Sequence, residues 1–94
     1  MNILEIIWLE DVEEKCRQKH GVSADEVRDF FNENPRLKFV EKGERKGEDV
    51  YVARGCTSSG RYLIVFFILK PRGRMLILPA RPMSERERRS YEKR

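Results

Sequence analysis

The chain is short of the residues that staple and ligate. It holds two cysteines and one histidine in 94 residues. Cys16 and Cys56 are too few for a disulfide scaffold, and with a lone histidine they do not make a zinc-ligand set. They read as small apolar core residues. No His-Glu-x-x-His, Walker or Gly-x-Gly-x-x-Gly motif occurs, so no metal ion or nucleotide cofactor is expected. Long apolar runs are also missing. The longest covers eight residues, 62–69, where a membrane helix needs about 20. The N-terminus lacks the charged start, apolar stretch and small-residue cleavage site of a secretory leader. A cytoplasmic protein with no membrane association is expected.

What the chain has is charge, unevenly placed. Lys and Arg total 20 against 16 Asp and Glu, a net +4. Residues 1–69 are net −2 and residues 70–94 net +6. A basic C-terminal quarter points to a polyanionic partner, with nucleic acid the first candidate. The length fits one domain, over residues 1–94.

The patterning predicts an α+β fold: two N-terminal helices, an antiparallel sheet of four to five strands and a C-terminal helix. Residues 2–7 are apolar and β-branched, so a strand is expected there. Asp11 and Glu14 have capping-box spacing, and Val12, Cys16 and His20 then share one helix face. Gly21 stands where that helix should end. Ser23 and Glu26 suggest a second capping box, Val22 and Val27 a hydrophobic staple, and Asn34-Pro35 a helix stop. Strands follow at residues 37–41, 49–56, 61–70 and 74–79, joined by glycine-containing turns of hairpin length. Pro79 belongs at a strand end or an edge, because it cannot donate to a ladder. Ser84 and Glu87 form a third capping box ahead of a basic helix. The strand at 62–69 is apolar on both faces. Either it is central and buried within the monomer, or a partner chain covers part of it.

For chemistry the chain offers Lys19, His20, Arg61, Arg81 and the tail arginines. These suit metal-independent cleavage of RNA. That reaction needs a base for the 2′-hydroxyl proton, an acid for the leaving 5′-oxygen and fixed positive charge on the phosphate. Histidine serves as base or acid near neutral pH, and arginine grips two phosphate oxygens at once. Each residue also has a plain structural use. His20 and Lys19 can cap or offset a helix C-terminus. Arg61 can be a solvated strand start, and the tail arginines a solvated helix face.

The order of these pieces resembles a known family. Lys19-His20-Gly21-Val22-Ser23, then a helix with acids and phenylalanines, then Asn34-Pro35, is similar to the opening of BrnT-type toxins. Gly55-Cys56-Thr57 and Gly60-Arg61 resemble the family's middle. Ala80-Arg81, followed by a basic, Glu-interrupted helix ending in Tyr91-Glu92, resembles its close. Leu9, Val12, Cys16 and Pro79 depart from the family's pattern.

The resemblance implies a RelE-like fold and an endoribonuclease toxin of a type II toxin–antitoxin pair. It implies a BrnA-like antitoxin that neutralises the toxin and carries the DNA-binding domain. DNA would then be met only through the antitoxin. By this resemblance Lys19, His20, Arg61 and Arg81 are the catalytic candidates. Arg72, Arg74, Arg86, Arg88 and Arg89 are expected to bind the RNA without cutting it.

Overall fold

A computed structural model describes residues 5–93. The chain runs β1 (Glu5–Ile7), α1 (Glu10–His20), α2 (Ala24–Asn32), β2 (Arg36–Glu41), β3 (Val50–Cys56), β4 (Tyr62–Lys70), β5 (Arg74–Pro82) and α3 (Glu85–Glu92), with a 3₁₀ turn at Pro71–Gly73. The α+β expectation holds. Residues 2–4 of the expected first strand lie outside the described residues.

The strands make one sheet in the order β1-β5-β4-β3-β2. β2 to β5 form the expected antiparallel meander, but β1 pairs with β5 in parallel, Ile7 beside Leu76. The sheet is therefore mixed, not antiparallel. The reason is connectivity. Hairpin turns set only neighbouring pairs, whereas β1 reaches the sheet through a two-helix crossover and docks on the far edge.

β5 runs three residues further than expected, through Pro82. Val65 faces Ala80 and Phe67 faces Ile77, so β5 carries one extra residue between them. Pro79 falls in that bulge, beyond the last β1 partner at Leu76. It is thus on an unpaired edge, as expected, but inside the strand. A bulge removes the ladder bond that proline cannot make.

The caps differ in how they form. Ser84 and Glu87 make a full reciprocal box. Ser23 accepts from the Glu26 amide, but the Glu26 side chain turns away to an arginine. Asp11 is not a cap. α1 begins two residues earlier, behind Leu9, without a side-chain cap, and Glu10, Asp11 and Glu13 offset the free amides by charge.

α1 and α2 lie on one face of the sheet. Val22, Val27, Phe30 and Phe31 meet Leu63, Val65 and Phe67 from β4, with Ala53, Met75, Ile77 and Ala80 around them. All but Phe31 are fully buried. Val22 and Val27 are thus both core residues, as the staple requires, and Cys16 closes the core from α1. Phe30, Phe31, Phe67, Tyr51 and Phe39 form a chain of ring contacts ending at the β2 edge. Trp8 packs against this cluster. α3 lies on the opposite face.

Candidate functional site

The end of α1 is built by its sequence. Gly21 adopts φ 64°, and the amides of Gly21 and Val22 return to the carbonyls of Arg17 and Cys16. Glycine enters that left-handed region without strain, so the helix stops there. Lys19 and His20 thereby occupy its last turn, where the negative end of the helix dipole favours cations.

Both residues face an open cavity of about 420 Å³ between α1 and β5. Val12, Cys16, Leu78 and Pro79 give it an apolar wall, and Lys15, Lys19 and His20 line its polar side with Asp11. The bulge at Pro79 belongs to this wall.

Arg61 closes the turn from below. Its Nη2 donates to the His20 carbonyl at 2.7 Å. Its Nη1 donates to the Gly21 carbonyl at 2.9 Å and to Glu26 Oε1 at 2.8 Å. His20 therefore does not cap α1 itself; Arg61 takes that part. The arginine is set in place by the β3–β4 hairpin. Thr57 accepts from the Arg61 amide, and Ser58 is bonded through amide and hydroxyl to Asp29 on α2. Three contacts use three of the five guanidinium N–H groups, leaving Nε and one Nη2 proton free.

Arg81 sits on the other face. Strand pairing places Arg36, Arg54, Ile64 and Arg81 in one row across β2, β3, β4 and β5. α3 lies over this row. Arg81 grips Glu87 with two bonds, of 2.8 and 2.9 Å, and also reaches the Pro82 carbonyl. The Arg81 guanidinium, with the Ser84 amide behind it, pulls the Glu87 carboxyl down to about 2. The same bond raises the already high pKa of Arg81. At the other end of α3, Arg36 donates to the Tyr91 carbonyl and stacks on its ring. Arg88 lies 4.3 Å over the Tyr62 ring. The Tyr62 hydroxyl donates to Glu92, whose carboxylate holds the phenol above its usual range.

The nine cations named from sequence thus fall into separate groups. Lys19, His20 and Arg61 meet at the α1 turn. Arg81 and Arg88 belong to the α3 face. Arg86 and Arg89 share a shallow concavity with Ser90 and Lys93. Arg72 and Arg74 stand at the β4–β5 turn, where Arg72 takes φ 67° and Arg74 bonds the Pro71 carbonyl. Sequence reasoning missed Arg54, which strand alternation alone would have put on the face of Val50 and Val52. It also missed Glu26 as the partner of Arg61, because capping spacing had assigned that side chain elsewhere.

Fold and site together define a small α+β protein with cationic groups on both faces of one mixed sheet. A family model described as the ribonuclease toxin BrnT of type II toxin–antitoxin systems matches residues 8–87. The chain belongs to that family. Among solved structures it is similar to the Brucella abortus ribonuclease toxin BrnT, with a TM-score of 0.63 and 19% identity. The match covers 89% of this chain and 100% of that one, a likeness of fold. No curated protein matches the chain in sequence.

Proposed function

We propose that the protein is a metal-independent endoribonuclease that arrests translation in the cytoplasm and is neutralised by a BrnA-like antitoxin. The observation behind this reading is the α1 turn. It sets Lys19 and His20 side by side on an open cavity, over a guanidinium with unused donors. With an RNA phosphate at the cavity mouth, one group of the Lys19–His20 pair would take the proton of the adjoining ribose 2′-hydroxyl. The 2′-oxygen attacks phosphorus, the bond to the 5′-oxygen breaks, and that oxygen takes a proton from the other group of the pair. The products are a 2′,3′-cyclic phosphate and a free 5′-hydroxyl. Arg61, at the α1 turn, holds the charge that builds on that phosphate. Arg81, on the other face of the sheet, serves the same strand at a neighbouring phosphate once its grip on Glu87 loosens. Arg72, Arg74, Arg86, Arg88 and Arg89 steer and hold the strand.

The test is cleavage of RNA by the purified protein in excess chelator, with the new ends identified. Cyclic-phosphate ends, and loss of cleavage in the Lys19→Ala, His20→Ala double variant, are expected. Intact RNA would refute the enzyme reading. One observation favours a non-catalytic relative of the same fold: both Arg61 and Arg81 are engaged by carboxylates. That alternative predicts salt-sensitive RNA binding with no new ends.

A further inference from the structure

α3 covers only part of its face of the sheet. It crosses from Arg81 on β5 towards Arg36 on β2 and buries Ile64 in the row beneath. The next two rows are bare of any described element. One holds Val52 and Phe66; the other holds Val50, Ile68, Leu76 and Ile7. All six side chains are half-buried. On the helix-covered face the same strand is finished, with Leu63, Val65 and Phe67 at 0% exposure. The strip is apolar along its middle and basic around its margin. Arg54 and Arg81 flank it beside α3, Lys70 and Arg74 form the row beyond, and Lys38 stands at the β2 end. The described acids of the strands on this face are Glu5, beside Arg74, and Glu41 at the β2 edge, and α3 adds Glu85, Glu87 and Glu92, already engaged with Arg89, Arg81 and Tyr62.

We propose that this strip is the seat of the antitoxin, filled by an amphipathic helix whose apolar side is flanked by carboxylates. The inference rests on the antitoxin partnership of the reading above. Dimensions fit. Two rows set about 7 Å apart suit a helix about 10 Å across lying beside α3, and the four strands span about 15 Å, the length of about ten helical residues. Chemistry favours protein over RNA here. Bases bind sheets through aromatic platforms, and this floor has one aromatic ring among aliphatic side chains. Aliphatic surface is covered best by other apolar side chains, and a basic margin asks for acids. A helix so placed also shuts Arg54 and Arg81 away from any phosphate.

The test is the affinity of the purified full-length chain for the antitoxin encoded beside its gene. Ile68→Glu, which sets an unpaired carboxylate in the floor, should weaken binding about 30-fold or more. The Lys38→Glu, Lys70→Glu double variant touches only the margin and should cost about tenfold. It also decides the matter if Ile68→Glu fails to fold. Arg17→Glu, on the exposed side of α1, should bind as the parent does. Unchanged antitoxin affinity in the double variant overturns the proposal. So does loss of RNA affinity with antitoxin affinity intact, which would give the strip to RNA. Antitoxin binding needs no turnover, so an inactive but antitoxin-binding protein would refute the nuclease reading and leave this one standing.

Discussion

The two faces of the sheet are built on the same strand and finished to different degrees. β4 sends Leu63, Val65 and Phe67 into a closed core beneath α1 and α2. It sends Tyr62, Ile64, Phe66 and Ile68 to a face on which α3 covers one end. The first face is held by apolar burial. The second is held by arginines: Arg81 on Glu87, Arg36 on Tyr91 and Arg88 on Tyr62. The contrast teaches where stability and function separate. Apolar packing is costly to change and has one arrangement. Half-exposed ion pairs and ring contacts are individually weak, and a ligand can exchange them.

The contrast breaks most visibly in a pair of adjacent residues. Phe67 is fully buried, stacked on Tyr51 and edge-on to Phe31. Phe67→Ala should cost about 3–5 kcal/mol, much of what a domain of this size has to lose. Phe66→Ala, one residue away on the half-covered face, should cost about 1–2 kcal/mol because its ring already meets water. Urea denaturation of both variants checks this. Equal losses would mean that the two faces are equally finished.

Arg61 and Arg81 sharpen the comparison at the site itself. Arg61 ties an α1 carbonyl, a loop carbonyl and Glu26 of α2 to the β3–β4 hairpin. Arg61→Ala should therefore lose about 2 kcal/mol of stability as well as activity. Arg61→Lys should recover little of either, since a single ammonium cannot serve two carbonyls and a carboxylate in one plane. Arg81→Ala should lose activity with a smaller change in stability, because its pair with Glu87 is part exposed. If Arg61→Ala unfolds at the parent's denaturant midpoint, the clamp is not structural.

Gly55 probes the covered face more finely. A Cβ there would stand 3.0 Å from Pro35 Cβ, 3.1 Å from its Cα and 3.3 Å from the Phe30 ring. Gly55→Ala must push the α2–β2 junction, and a cost of about 1–3 kcal/mol is expected from overpacking. Thermal unfolding is the measurement, and a stabilised variant would show that the junction yields.

Local signals are legible in the sequence and distant ones are not. The Gly21 stop, the Val22–Val27 pair and the Ser84–Glu87 box each depend on residues within five positions, and each stands in the structure. The parallel seat of β1 was illegible because it pairs residues about 70 positions apart. The partner of Glu26 is hidden for the same reason: Arg61 lies 35 residues away. At the site, the residue types and the α1 turn were legible. That Arg61 would face backbone carbonyls, and that Arg81 would lie on the opposite face from Lys19 and His20, depended on tertiary pairing.

The smallest effect isolates how α3 is fastened. Glu87 accepts two bonds from Arg81 and one from the Ser84 amide, and its carboxyl is held at about 2 against an ordinary 4.5. A folded pKa below the unfolded one means that the ion stabilises the fold. That contribution is complete above about 4.5 and fades as pH falls towards 2. Both partners are about one-third exposed, at 37% and 33%, so solvent screens the pair, and cap and pair together should be worth about 1 kcal/mol. Glu87→Gln keeps the shape and removes the charge. It should be less stable than the parent at pH 7 and draw level with it by about pH 2, with the gap closing between those limits. Phe66→Ala should show no such convergence, since nothing it removes titrates. Melting both variants and the parent across that range separates the two kinds of fastening. A gap for Glu87→Gln that stays constant with pH would show that the charge of Glu87 does not hold α3 to the sheet.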